Sequence, residues 1–189
     1  MLRKFHKDWA VIDLLADFIL SNAEGDVFEI GFGRSTWILN QYTAHHNRIH
    51  FICDTNWKKI DKANKKLKNV STFVGKSLDY IKKLKNFPIA IAMIDGEHIY
   101  ETVISELDYI LPNLSKNGVI FIHDTYPSHE DWVSDNNTFS GNVYKVRQEL
   151  EKRDDLQIFT WPYGASYKDV ECGLSMVMKK EENRSFYKE

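Results

Sequence analysis

The sequence predicts an α/β fold: a doubly wound, mainly parallel sheet of about seven strands, with an antiparallel strand pair at its C-terminal end and helices on both faces. Three observations predict it. Short runs rich in Ile, Val and Phe alternate with helical patterns from Asp26 to Asp124. Those runs are nearly all apolar, as expected of strands covered on both faces rather than on one. After Asp124 the alternation gives way to a polar stretch, followed by a helix pattern and two further strand-like runs.

In chain order, an amphipathic helix over about Asp8 to Ala23 opens the sequence within an N-terminal segment 1–25. "DVFEI" then reads as strand, "STWILNQYTAH" as helix, "RIHFICD" as strand and "NWKKIDKANKKL" as helix. "STFV" is a short strand, "KSLDYIKKL" a helix, "IAIAMID" a strand, "ETVISELDYILPNL" a helix and "GVIFIHD" a strand. Parallel strands joined this way require right-handed crossovers. The segment 125–141, "TYPSHEDWVSDNNTFSG", has few periodic apolar positions and is longer than structureless connections usually run, so it is the expected lid or substrate loop. "NVYKVRQELEKR" reads as helix, "LQIFTWPYG" and "CGLSMVMKK" as the antiparallel pair, and "EENRSFYKE" as a frayed tail. With 43% hydrophobic residues in 189, the chain can bury one sizeable core, and 1–189 reads as a single domain.

Composition narrows the function. A formal net charge of -2 and a pI near 6.4 give no electrostatic case for nucleic acid or an anionic membrane. The lysines of "WKKIDKANKKLK" oppose Ile60, Ala63 and Leu67 at helical spacing and so read as a solvated face. Cys53 and Cys172 have neither metal-ligand nor disulfide-framework spacing. No window reaches bilayer-spanning length and the N-terminus lacks a signal-peptide pattern, so a cytoplasmic protein is expected. Homo-oligomer formation is left open.

In a doubly wound sheet, ligands sit at the carboxyl ends of the strands near the point where strand order reverses. The first strand delivers Glu29, Gly31, Gly33, Ser35 and Thr36 to that edge. The glycines suit a tight turn or close approach to a ligand, and Ser35 or Thr36 can cap the next helix. Thr36 stands where a dinucleotide fingerprint has its third glycine, which disfavours a nicotinamide or flavin. A buried Glu29 needs a partner, which a cationic ligand or its waters would supply. Asp54 ends the second strand roughly 20 residues past Gly31, where an acid meets ribose hydroxyls.

With those residues in view, the chain resembles the class I S-adenosylmethionine-dependent methyltransferases, whose fold is Rossmann-like. "FEIGFGRST" resembles their acid-x-Gly-x-Gly motif and "FICD" their second strand with its ribose-binding acid. "MIDGEHIY" and "FIHDTY" are similar to a branch of small-molecule and sugar O-methyltransferases, some magnesium-dependent. The resemblance covers roughly Asp26 to Tyr126. It implies S-adenosylmethionine as cofactor, with Glu29, Gly31, Gly33 and Ser35 on its methionine and ribose side, Asp54 at the ribose hydroxyls, Ser77 near the adenine, and Asp95 also facing the cofactor. Lys76 stands where many relatives have an acid, and Thr125 where some magnesium-dependent relatives have Asn.

Asp95 and Asp124 also carry a physical case of their own. Each ends an apolar strand, and if those strands are neighbours about 4.8 Å apart the carboxylates converge. Converging carboxylates repel unless a cation or proton lies between them, and magnesium suits such a pair. A third ligand is sought in the long loop, at His129, Glu130 or Asp131. His98, about one turn after Asp95, is the expected general base for a hydroxyl. Set against these are plainer roles: Asp95-Gly96 as a capped turn, Glu97 as a surface charge at a helix start, His98 as a structural histidine. His123, inside the last strand, reads as packing and orienting its neighbours rather than reacting, and Tyr100 as a packing residue that borders the site. Trp132, Phe139, Trp161 and Tyr163 are candidates for stacking on an acceptor or for packing. The acceptor expected is a hydroxyl of a sugar or another small metabolite, without nucleic acid or membrane. The competing classes are a cofactor-binding regulatory protein without catalysis and, further off, an NAD-dependent oxidoreductase.

Overall fold

The computed structural model describes residues 7–162 and 172–180. Tyr163, the polar segment after it and the tail "EENRSFYKE" lie outside the described residues. Helix α1 (Lys7–Asn22) is followed by β1 (Asp26–Ile30), α2 (Arg34–His45), β2 (His50–Asp54), α3 (Trp57–Lys66), β3 (Val70–Val74), α4 (Ser77–Ile81) and β4 (Ile89–Ile94). Then come α5 (Tyr100–Asn113), β5 (Leu114–His123), α6 (Tyr144–Leu150), β6 (Leu156–Trp161) and β7 (Leu174–Lys179). The sheet has seven strands in the order β3-β2-β1-β4-β5-β7-β6. β1 to β5 are parallel, and β7 runs antiparallel between β5 and the edge strand β6. The expected architecture is thus present, with strand order reversing between β1 and β4.

The apolar runs split their residues between the two faces at period two. Val27, Ile91, Met93, Val119 and Phe121 pack with Trp9, Ile12, Ala16 and Leu20 of α1 and with Leu39 of α2. Phe28, Ala92, Ile94, Ile120 and Ile122 pack on the other face with Val103, Leu107 and Ile110 of α5 and Val146 and Leu150 of α6. A third cluster joins Ile52 to Ile60 and Ala63 of α3, leaving the lysines of that helix outward as expected. No helix among the described residues is long and apolar enough to cross a membrane.

Boundaries differ from expectation in two places. β5 begins at Leu114, earlier than "GVIFIHD", because α5 ends at Asn113 just after Pro112, which cannot continue a helical ladder. α4 is cut to Ser77–Ile81, and Lys83 and Leu84 close onto Tyr80 as turns. The loop 125–141 is not structureless: it holds a short 3-10 turn at Glu130–Trp132, and Ser134 Oγ lies within hydrogen-bond distance of the carbonyls of Asn136 and Thr138, at 2.8 and 3.0 Å.

Register sets which residues share the carboxyl edge of the sheet. Phe73, Cys53, Ile30, Ile94 and Ile122 form one row across β3, β2, β1, β4 and β5. The next residues along, Val74, Asp54, Gly31, Asp95 and His123, therefore stand side by side at the carboxyl ends. Gly31 has φ of 89°, and a Cβ there would meet the Asp95 carbonyl oxygen at 2.0 Å. Its freedom thus lets the exit of β1 pass against the end of β4, where Asp95 N also donates to Ile30 O at 2.9 Å.

Candidate active site

A cleft of about 690 Å³ opens above β1, β2 and β4, lined among others by Gly31, Asp54, Gly75, Ser77, Asp95 and Asn137. Asp54 holds the turn beneath it: its Oδ2 accepts from Phe32 N at 2.9 Å and its Oδ1 from Asn56 N at 2.7 Å. Lys59 Nζ lies 3.0 Å from the same Oδ2. Gly33 and Thr36 start α2, with Gly33 N donating to Thr36 Oγ1 at 3.0 Å, so Thr36 and not Ser35 serves the helix start. A Cβ at Gly33 would sit in ordinary contact with Asp95 Oδ2, at 3.8 Å.

Ser35 and Glu29 are turned inward. Glu29 is 0% exposed and meets Ser35 Oγ at 2.5 Å and His50 Nε2 at 3.0 Å, with His50 itself 0% exposed. Only Oε1 of Glu29 is hydrogen-bonded, by Ser35; the His50 approach is a charge contact without hydrogen-bond geometry, and Oε2 and both His50 ring nitrogens have no hydrogen-bond partner among the described residues. Glu29 and Ser35 thereby brace the turn carrying Gly31 and Gly33 from beneath. Ser77, 9% exposed, donates its hydroxyl hydrogen to Glu106 Oε1 on α5.

Asp95 and Asp124 do converge, and two imidazoles converge with them. His123 Nδ1 lies 3.3 Å from Asp95 Oδ1 and 3.0 Å from Asp124 Oδ2. His98 Nε2 lies 3.2 Å from Asp124 Oδ2 and 3.8 Å from Asp95 Oδ1. Because register places His123 beside Asp95, Asp124 sits one residue beyond, and its left-handed φ of 61° belongs to a tight exit from β5. Ser140 Oγ donates to Asp124 Oδ1 at 2.9 Å, and the ring of His123 stacks on Trp9 at 5.1 Å. His123 thus packs on Trp9 while its Nδ1 lies within reach of both carboxylates.

The proton inventory follows from these contacts. His98 Nδ1 faces the carbonyl oxygen of Phe139, which can only accept, so Nδ1 carries hydrogen. Its Nε2 faces two carboxylates and is stable there only with a second proton or a cation. Burial works against the His98 charge, but the hydrogen bond to Asp95 and the charges of Asp124 and Asp95 outweigh it and lift the pKa to about 9. Burial likewise favours protonated Asp95 and Asp124, yet His123 and His98 hold both below the ordinary carboxylate range. At neutral pH the cation-free cluster is two carboxylates with a His98 imidazolium, which has no lone pair for a substrate proton.

Ligand atoms of Asp95, His98 and Asp124 all lie within 4.8 Å of one another, a spacing that fits one metal ion. The fit is chemical as well: Asp95 and Asp124 are hard carboxylate donors, and an ion held by those two alone leaves the Nε2 lone pair of His98 for a proton. His129, Glu130 and Asp131 are not brought to this point. All three are exposed, and His129 Nδ1 lies 3.9 Å from Asp131 Oδ2. Thr125 is buried and accepts from Ser175 Oγ at 2.8 Å.

The loop 125–141 closes the far side. Asn137 Oδ1 accepts from His98 N at 2.7 Å, Asn142 Oδ1 accepts from Tyr100 N at 2.5 Å, and Asn142 N donates to His98 O at 3.2 Å. Trp132 and Phe139 meet edge to face at 4.6 Å, and Glu97 takes a hydrogen bond from Thr102 as a helix-start acid. Beside Asp124 a second pocket of about 550 Å³ is lined by Thr125, Tyr126, His129, Glu130, Val133, Tyr144 and Arg147. The Arg147 guanidinium lies over the Tyr126 ring at 4.9 Å.

Sequence reasoning missed Glu106, His50, Asn137 and Ser140. Glu106 had a signal, an acid on the helical stripe of Val103, Leu107 and Ile110. The others depend on contacts between elements distant in sequence or in neighbouring strands.

Comparisons with known proteins agree with this layout. A family model described as a methyltransferase domain matches residues 28–125. No curated protein matches the chain. Among solved structures, the O-methyltransferase TomG of Streptomyces achromogenes, involved in tomaymycin synthesis and crystallised with SAM, is 17% identical. The match covers 95% of this chain and 82% of TomG, with a TM-score of 0.70. An O-methyltransferase of Bacillus cereus in complex with SAH is 16% identical over 94% of this chain and 83% of its own, at a TM-score of 0.72. An rRNA methylase of Streptococcus thermophilus is 13% identical over 96% and 99%, at 0.64. Identities this low carry the fold and not the acceptor.

Proposed function

Since the chain belongs to the methyltransferase-domain family, we propose that it is an S-adenosylmethionine-dependent O-methyltransferase acting on a hydroxyl of a sugar or another small polar metabolite, with divalent-metal assistance. The observation that carries this reading is the meeting of Asp95, His98 and Asp124 at the end of the same cleft that holds Asp54 and Ser77. The SAM and SAH complexes of the two O-methyltransferases support the cofactor assignment, and the pocket beside Asp124 supports a small acceptor.

In this reading Gly31, Gly33 and Asp95 border the methionine end, Asp54 accepts from the ribose hydroxyls and Ser77 faces the adenine, while Glu29 and Ser35 hold the glycine turn. Asp95 and Asp124 hold the ion. When bound, the cofactor supplies an electrophilic methyl group and the ion supplies Lewis acidity that favours an ionised hydroxyl. Neutralising the two carboxylates removes what keeps His98 protonated. His98 Nε2 then takes the hydroxyl proton, with its ring fixed through Nδ1 by the Phe139 carbonyl. The protein's remaining contribution is to position acceptor and cofactor and exclude water.

The test is calorimetry at pH 7.5 on chelator-stripped protein. S-adenosylhomocysteine is expected to bind and NAD not to; the reverse would sink the methyltransferase reading. Magnesium, manganese or calcium is expected to bind with release of a proton, seen as a buffer-dependent heat, because His98 enters that titration charged. Cation-independent behaviour, together with turnover unchanged by exhaustive chelation, would remove the metal from the mechanism.

A further inference from the structure

One buried acid is left out of that mechanism. Glu106 lies on the apolar stripe of α5 with Val103, Leu107 and Ile110, is 0% exposed, and reaches the cleft only through Ser77. Its Oε1 accepts the Ser77 hydroxyl hydrogen, while Oε2 has no hydrogen-bond partner. A carboxylate placed among hydrocarbon with one partner is costly, and an apolar residue would pack there at less expense in stability. What the acid does locally is fix a hydroxyl. A serine hydroxyl has one hydrogen and two lone pairs, and it can ordinarily turn to donate or accept as a ligand requires. With its hydrogen committed to Glu106, Ser77 Oγ can offer only lone pairs to the cleft.

We propose that Glu106 is a positioning residue that makes Ser77 an obligate acceptor, so that the cleft selects a purine bearing a 6-amino group and rejects one bearing a 6-oxo group. This rests on the reading of the cleft as the S-adenosylmethionine site with Ser77 at its adenine end. The amine of adenine donates to Ser77 Oγ. A 6-oxo purine turns an acceptor towards the same lone pairs, and the serine cannot rotate to answer it without leaving Glu106 wholly unpaired.

The experiment measures dissociation constants of S-adenosylhomocysteine and its 6-oxo counterpart, S-inosylhomocysteine, by calorimetry at pH 8.5. Wild type, Glu106→Met, Ser77→Ala and the double variant are compared. The preference for the adenine form is expected to fall by roughly ten-fold or more in Glu106→Met, and equally in Ser77→Ala, with no further fall in the double variant. A purely structural role for Glu106 would weaken both ligands together and leave their ratio in place. Glu106→Met binding S-adenosylhomocysteine with a ratio within about two-fold of wild type overturns the proposal. Ser77→Ala with an unchanged ratio overturns it too, without relying on the folding of any Glu106 variant. If wild type binds neither ligand, the reading of the cleft itself has failed, an outcome distinct from both.

Discussion

Two carboxylate–imidazole clusters, one inside the sheet at Glu29 and His50 and one at its carboxyl ends at Asp95, His98 and Asp124, differ in access. Glu29 and His50 are both 0% exposed and are closed over by the strand pair β1 and β2. Asp95, His98 and Asp124 share the same chemistry, but His98 is 26% and Asp95 21% exposed at the side chain. The sealed pair can only brace the turn above it, whereas the open cluster can exchange its proton for a cation and meet a substrate. Similar residues thus divide into support and chemistry according to whether a solvent path reaches them.

The largest effect that would sharpen this contrast belongs to the sealed pair. His50→Ala is expected to lower unfolding free energy by about 3–5 kcal/mol, because it strips a buried carboxylate of a partner. Denaturant unfolding measures it, and a loss under about 1 kcal/mol would show that Ser35 alone satisfies Glu29.

The open cluster should register as pH dependence. The folded His98 pKa of about 9 lies above its ordinary 6.5, so its stabilising contribution is complete below pH 6.5 and disappears as pH rises through 9. Chelator-stripped protein is expected to lose up to about 3 kcal/mol across that window, and saturating manganese to flatten the slope. An identical slope in His98→Ala would assign it to other groups. In turnover, His98→Ala is expected to lose roughly 10²-fold, about 2.7 kcal/mol, while S-adenosylhomocysteine affinity stays within a few-fold. Equal losses in both would make His98 a binding residue.

The smallest effect concerns Glu106, as sealed as Glu29 but joined to the cleft through Ser77. Burial pushes its carboxyl up to about 7, Ser77 opposing and Glu97 assisting. Its raised folded pKa means that stability falls as pH climbs from 4.5 through about 7. Glu106→Gln removes that slope and should gain about 1–2 kcal/mol on wild type between pH 5 and pH 8, since the amide still lacks a second partner. Parallel stability curves would contradict a buried, ionising Glu106.

The strands were legible because both faces are covered and the apolar runs have no polar interruptions at β4 and β5. Asp95 and Asp124 were legible as the first acids after those runs. The third member of their cluster was sought in the long loop, because nothing in "DGEHIY" reveals that His98 is turned by a carbonyl 41 residues away. Glu29 looked like a ligand-facing acid since its partner His50 opens the next strand, and alignment between strands is a tertiary fact. The antiparallel pair was readable, but the placement of β7 inside β6 was not, because either order buries the same alternating residues.

The loop 125–141 invites the picture of a swinging gate, yet its Asn137 holds the His98 N–H just ahead of α5, and Asn142, directly after the loop, takes the first N–H of that helix at Tyr100. Lifting it would uncap that helix, unseat the ring of His98 and expose Asp124 together. The contacts make this loop a wall built around the ring of His98, so its sequence bears on the shape of the cluster as directly as the strand ends do.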